Sequence, residues 1–219
     1  FINKTNLTKE KIFNQIRISL KNLKLKSFYC VMLHNTDFLR NNKNSKIFEV
    51  LKELKKIKLT KKIGYSIYDK RELDTFYKYF KPDIIQGPLN VFNQELLQSG
   101  WLKKLKKDKV EFHARSIFLQ GLLLKKRGEL PPYFKSYIRH FDRYYAFLKK
   151  NKISEISLCL NFIYHLKFVD KLVIGIDSER DLNEILTSKI SNKINTKKLY
   201  ILNTKSKAIK DPRLWPKKF

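Results

Sequence analysis

Short apolar runs alternate with amphipathic helical stretches five times along this chain, and that alternation restricts the fold more than any other feature. The first run, Phe28 to Leu33 (FYCVML), carries no charged residue. A strand that is apolar on both faces needs cover on both, which is the setting of a parallel sheet between helices. Ahead of it, Ile12, Phe13, Ile16, Leu20 and Leu23 recur at spacings of three and four, on one helical face. Thr8 suits the N-cap of that helix, and Glu10 in its first turn complements the helix dipole. The spacing goes on to predict strands over 62–66 (KIGYS), 83–86 (DIIQ), 110–115 (VEFHAR) and 171–175 (KLVIG). Between and after them it predicts helices over 47–56, 71–80, 95–107, 133–150, 154–166 and 178–190, with Ser154 and Ser178 as caps. Strands that alternate with helices define an α/β fold with one parallel sheet. No Gly/Ser-rich linker interrupts the pattern, so residues 1–219 read as one domain. The tail from Asn192 is less regular.

Composition excludes several classes. Of 219 residues, 42% are hydrophobic and 13% aromatic, a globular balance and not a disordered one. The run from Ile156 to Leu166 is only 11 residues long, against roughly 18–20 for a membrane-spanning helix. Two cysteines, Cys30 and Cys159, sit in apolar surroundings, which points to buried thiols in a reducing compartment, the cytoplasm. No CxxC or HExxH pattern is present, so no metal site is expected.

The net charge of +28 comes from 48 Lys and Arg against 20 Asp and Glu. Such a charge serves either as a footprint for nucleic acid or an acidic surface, or as a set of solvated lysines on helix faces. The basic pairs, such as Lys55–Lys56 and Lys106–Lys107, are scattered and fall at helix ends. Dispersed charge leads us to expect only weak, nonspecific nucleic-acid binding, and the short apolar runs lead us to expect no membrane partner.

In parallel α/β folds, reactive groups gather at the carboxyl ends of the strands. Here those ends carry His34 and Asn35, then Ser66, Gln86, Arg115 with Ser116, and Gly175 followed by Ile176, Asp177 and Ser178. Each has a plain structural alternative: His34 as a loop-packing residue, Ser66 as a cap, Gln86 satisfying backbone groups, Arg115 pairing with a carboxylate. Their shared position on one rim is what marks them. His113, His140 and His165 fall inside elements and read as structural or surface residues.

Five stretches, taken in order, resemble the aldo-keto reductase family. IRISLKNLKLKSFYCVMLHN is similar to its helix, strand and catalytic His. KKIGYSIY resembles its Ser-bearing strand, and DIIQGPLNVFNQ its Gln-bearing strand and Asn-containing loop. EFHARSIFLQGLLL resembles the next strand and cofactor loop, and KLVIGIDSERDLNEIL the last strand and its helix. The resemblance runs from about Thr8 to Ile190. It implies a (β/α)8 barrel represented by its fourth to eighth strands, with the first three βα units absent. It also implies an NAD(P)-dependent oxidoreductase that transfers hydride from NADP(H) or NAD(H) to an aldehyde or ketone.

By that resemblance, His34 orients the carbonyl, and Ser66 and Gln86 hold the nicotinamide carboxamide. Ser116 and the loop to Leu124 lie along the cofactor. Gly175 to Ser178 approach the adenosine phosphate, where a helix N-terminus suits an anion. Arg180 stands near the 2′-phosphate and Glu184 reaches the adenine. Arg115 stands where many members stack an aromatic ring, and a guanidinium also stacks on a planar ring. Ile67 replaces the family's usual Asn.

The sequence opens on Phe1, so an upstream segment is expected. That segment would hold the family's catalytic Asp, Tyr and Lys, and without it the 219-residue piece is expected to be nearly inactive. Two other readings remain: a barrel-like binding or regulatory protein without catalysis, and a basic nucleic-acid-binding protein.

Overall fold

The computed structural model describes residues 2, 8–34, 36, 46–188, 190 and 196–216. Helix α1 (Lys9–Asn22) is capped by Thr8, whose Oγ1 accepts from the Lys11 N–H at 3.3 Å. It leads to β1 (Phe28–Leu33). Then come α2 (Lys46–Lys56), β2 (Thr60–Ser66), α3 (Lys70–Phe76) and β3 (Ile84–Pro88). Two short helices, α4 (Glu95–Gln98) and α5 (Trp101–Lys107), precede β4 (Glu111–Arg115). Helices α6 (Ile138–Asn151) and α7 (Glu155–Tyr164) are followed by β5 (Lys171–Val173) and α8 (Glu179–Thr187).

The strands form one sheet in the order β1-β2-β3-β4-β5, parallel throughout, as in part of a (β/α)8 barrel. β1 and β2 pair from Phe28 opposite Thr60 to Leu33 opposite Tyr65. In the next pair, Gly64 stands opposite Ile84 and Ser66 opposite Gln86. Gly64 cannot carry a side chain, because a Cβ there would collide with the Ile84 carbonyl oxygen.

Several boundaries differ from the sequence reading, each for a local reason. The expected helix over 95–107 is two helices, because Gly100 turns left-handed (φ +82°) between them. The helix from 71 stops at Phe76, and the chain folds back with the Phe80 N–H on the Phe76 carbonyl at 2.9 Å. The stretch after Pro131 begins as a 3-10 turn, Pro132–Tyr137, before α6 starts. β5 ends at Val173, and α8 covers only Glu179–Thr187, with Ser178 as its cap. The outer edge of β1 is partly filled. Ile2 donates to the Met32 carbonyl at 3.0 Å and accepts from the His34 N–H at 2.9 Å. Asn35 and Asn192 lie outside the described residues.

A repeated helix stop, Leu-Lys-x-x-Lys-apolar, escaped the sequence reading. It occurs as LKNLKL from Leu20, LKKIKL from Leu54, LKKDKV from Leu105 and LKKNKI from Leu148. Each copy closes a Schellman motif. Lys24, Lys58, Lys109 and Lys152 adopt φ of 53°, 62°, 58° and 50°, and each donates to the carbonyl three residues back. The apolar residue that follows donates to the first leucine, as Leu59 does to Leu54 at 3.0 Å. This is the position where glycine is favoured, since a Cβ in the left-handed region costs about 1–2 kcal/mol.

The chain divides into two compact units. The first comprises 1–87 and 99–113. Its core is built from Ile12, Ile16 and Leu20 of α1, Phe48, Leu51 and Leu54 of α2, and Ile63 and Tyr65 of β2. Phe48 and Phe80 meet at 4.7 Å, and Tyr77 stands edge-on to Trp101 at 5.2 Å. The second unit comprises 88–98 and 114–219. Phe92 packs against Phe141 and Tyr144 at 5.4 and 5.3 Å, and Phe134 bridges Phe141 and Trp215. The irregular tail is tied in here. Gln94 Nε2 donates to the carbonyls of Val91 and Leu199, each at 2.8 Å, and the Thr204 N–H reaches Phe92 O at 2.9 Å.

Replacing Lys58 by Gly relieves a left-handed side chain and is expected to raise unfolding stability by up to about 1 kcal/mol. Gly64→Ala crowds the β2–β3 pairing and is expected to lower it by about 1–3 kcal/mol. Urea unfolding of both variants checks the opposite signs.

Candidate active site

In the first unit, the parallel register brings the carboxyl ends of β1, β2 and β3 to the same side. His34 follows Leu33, which pairs with Tyr65, and Ser66 pairs directly with Gln86. Ser66 and Gln86 are both buried. Among the described residues neither side chain makes a hydrogen bond, and the fully enclosed polar atoms without a partner lie elsewhere, at Gln94 Oε1 and His140 Nε2. The backbone between them is fixed, with the Ile67 N–H on the Gln86 carbonyl at 2.8 Å. His34 is exposed and anchored through its backbone to Ile2. Buried Glu72 ties the neighbouring loops together. It accepts from the Thr36 hydroxyl after β1, and from the N–H groups of Tyr68 and Asp69 after β2.

In the second unit, a cavity of about 580 Å³ opens beside the end of β4 and the segment that follows β5. Arg115, Ser116, Gly175 and Glu184 line it, drawn from two stretches far apart in the sequence. Ser178 and Arg180 do not line it. The Ser178 Oγ is engaged as the α8 cap, accepting from the Asp181 N–H at 3.1 Å, and Arg180 is exposed. Asp177, from the segment expected near the adenosine phosphate, lines it, and so does Asp181, which the sequence reading gave no role. Carboxylates at Glu179 and Asp181 already occupy the first turn of α8, so this helix end offers little to an added anion.

The loop after β4 is strained where it forms the cavity wall. Ser116, Leu119 and Gln120 have φ of 57°, 49° and 54°, and Gly121 follows at 77°. Non-glycine residues in that region cost of order 1–3 kcal/mol each, and such strain clusters at ligand sites. Asn90 holds the loop, with its Nδ2 donating to the Ser116 carbonyl at 2.9 Å and its Oδ1 accepting from the N–H groups of Phe92 and Asn93. The Arg115 guanidinium donates to Ser116 Oγ at 3.3 Å.

A second polar cluster sits at the amino ends of the strands in the first unit. Tyr29 Oη donates to Glu111 at 2.7 Å, Lys62 donates to Tyr29 at 3.0 Å and pairs with Glu111, and His113 Nε2 lies 3.0 Å from Glu111. Burial opposes the Glu111 charge, but hydrogen bonds from Lys62, Tyr29 and His113 outweigh it and hold the carboxyl down to about 2. The hydrogen bond to Glu111 raises Lys62 above its ordinary value. This is a static ion pair that pins strand starts, and the Tyr, Lys and Glu were scattered signals in the sequence. The thiols are inert: burial pushes both Cys30 and Cys159 up to about 12. His140 is half-buried against Phe92 at 4.4 Å, and desolvation lowers its pKa. Among the described residues, no group of His, Cys, Asp and Glu could hold a metal ion, and no helix is long and apolar enough to cross a membrane.

The sequence profile of the aldo/keto reductase family matches residues 2–204. The chain belongs to the aldo/keto reductase family. Membership supports an oxidoreductase. No curated protein sequence matches it. Among solved structures, this reductase-family chain is similar to the aldo-keto reductase AKR11C1 from Bacillus halodurans. The apo form aligns with a TM-score of 0.71 at 14% identity, covering 90% of this chain and 68% of that one. The holo form gives 0.70 at 14%, covering 91% and 69%. A thermostable aldo-keto reductase in complex with the inhibitor epalrestat gives 0.64 at 18%, covering 91% and 69%. At these identities the likeness is one of fold, and the chain spans about two-thirds of the solved relatives' length.

Glu111 is depressed in the folded chain, so its contribution to stability is whole above about pH 4.5 and is lost as pH falls towards 2. Thermal melts across that window are expected to show a steep acid loss in the native chain and a shallower one in Glu111→Gln, which also melts lower at neutral pH.

Proposed function

We propose that this chain carries the cofactor-binding portion of an NAD(P)-dependent reductase of aldehydes or ketones. The observation that carries the reading is the cavity of the second unit. It gathers Arg115, Ser116, Gly175 and Glu184, four residues that the family resemblance assigns to the cofactor, beside the strained loop that follows β4. Its volume lies within the roughly 300–1,000 Å³ of small-molecule sites. The Ser66 hydroxyl and Gln86 amide, buried and without a protein hydrogen bond among the described residues, suit a planar carboxamide that both donates and accepts. The bound dinucleotide supplies hydride chemistry. In this reading His34 orients the carbonyl, Arg115 lies against a planar ring, and Ser116 follows the cofactor backbone.

Charge in the cavity bears on the choice of nucleotide. Among the described residues, Asp177, Asp181 and Glu184 line it, and Arg115 is the one cation that does. Carboxylates accept hydrogen bonds from ribose hydroxyls and repel a 2′-phosphate. We therefore favour NAD(H) over NADP(H), with Arg180 outside the cavity. The free thiols fit a cytoplasmic setting. By the resemblance, no residue of this chain takes the role of the family's Tyr, Lys or Asp, and the chain covers 68% of the length of the Bacillus halodurans relative. General-acid help is typically worth 10²–10⁴-fold, so the chain alone is expected to bind cofactor and turn over slowly.

Fluorescence titration separates these points. NADH is expected to bind more tightly than NADPH, and Ser66→Ala or Gln86→Ala to weaken NADH by up to about tenfold, the worth of one hydrogen bond. Failure of either nucleotide to bind would remove the cofactor reading.

A further inference from the structure

The repeated helix stop concentrates lysine on one end of the first unit. In a parallel sheet every helix-to-strand turn lies at the amino ends of the strands. The Glu111 N–H on the Asp83 carbonyl at 2.9 Å sets the start of β4 beside the start of β3. The turns before β1, β2 and β4 carry Lys24, Lys58 and Lys109 in the left-handed position, and Lys26 and Lys61 stand close by in sequence. All five are exposed and make no ion pair among the described residues. The acids of this end are already engaged: Asp83 with Lys55 at 2.7 Å, Asp108 with the Tyr77 hydroxyl at 2.7 Å, and Glu111 with Lys62.

Local structure does not explain these lysines. A helix C-terminus welcomes a cation in its last turn, which Lys21, Lys55 and Lys106 supply. The left-handed position beyond it favours Gly or Asn. This chain uses Asn freely elsewhere, yet three turns of this end hold Lys there.

Exposed apolar side chains stand beside these cations in the sequence. Leu23, Leu25, Ile57 and Tyr79 are 60%, 50%, 45% and 43% exposed, and each neighbours a lysine in sequence. Aliphatic groups set among lysines match the headgroup boundary of an anionic bilayer, where apolar insertion and charge attraction act together. Nucleic acid draws on aromatic stacking, and three of these four side chains are aliphatic. We propose that the amino-end face of the first unit docks on anionic phospholipid surfaces, through the lysines of the repeated helix stop and the apolar residues beside them in the sequence. The contact is peripheral and independent of the cofactor reading.

Cosedimentation of the 219-residue chain with phosphatidylcholine vesicles, with and without phosphatidylserine, tests it. Binding is expected only with phosphatidylserine and is expected to fall with added salt. The variant K24G/K58G/K109G removes charge while easing the turns, so it should melt higher yet bind about 100-fold more weakly, at about fivefold per lysine. The variant L23S/I57S should also bind more weakly. Binding that ignores phosphatidylserine, or that survives in the glycine variant, overturns the proposal. So does release from the vesicles by a single-stranded oligonucleotide at matched phosphate concentration, which would assign the face to nucleic acid.

Discussion

Parallel pairing of the strands is the constraint on which the rest depends. Once Leu33 lies opposite Tyr65 and Ser66 opposite Gln86, the strand ends of the first unit are sorted into two chemically distinct sides. The carboxyl side receives His34, Ser66 and Gln86, and the amino side receives the lysine-bearing turns. No side chain chooses this division; it follows from running every strand the same way, with a helix returning the chain each time. Gly64 shows how tightly the pairing is held, since β2 approaches the Ile84 carbonyl too closely for any side chain there.

Energetically, the chain tolerates unfavourable local choices wherever packing or chemistry repays them. The Schellman closures keep lysine at a glycine position, yet each is secured by two backbone hydrogen bonds and a leucine that opens the motif. The loop from Ser116 to Gly121 concentrates left-handed residues beside the cavity, and Asn90 holds it with both ends of its amide. In the first case the strain lies on an exposed charged end; in the second it shapes a concave wall. The two are distinguished by what surrounds them, not by their backbone angles.

Much of the architecture was legible because it depends on periodicity. The apolar run at β1, the N-caps Thr8, Ser154 and Ser178, and the alternation of strand and helix all stand where the residue pattern puts them. The errors came where one residue overrode the period. Gly100 split a helix that reads as continuous, and Pro131–Pro132 tightened the start of another into a 3-10 turn. The tail was opaque because its anchor, Gln94, lies about a hundred residues away, and no local pattern advertises such a bond. The Leu-Lys-x-x-Lys stop was readable in principle. It passed unnoticed because lysine is not the residue expected beyond a helix end.

The sequence by itself determined the α/β class, the order of the elements and the set of polar residues at strand ends, since these follow from hydrophobic period and residue identity. Only the tertiary structure decided which of those residues share a cavity. Arg115, Ser116, Gly175 and Glu184 do, Ser178 and Arg180 do not, and Asp177 and Asp181 join them. The physical reason is that a cap and a ligand compete for the same hydroxyl. Ser178 is spent on the Asp181 N–H as soon as α8 forms, and the turn of that helix decides which carboxylates face inward.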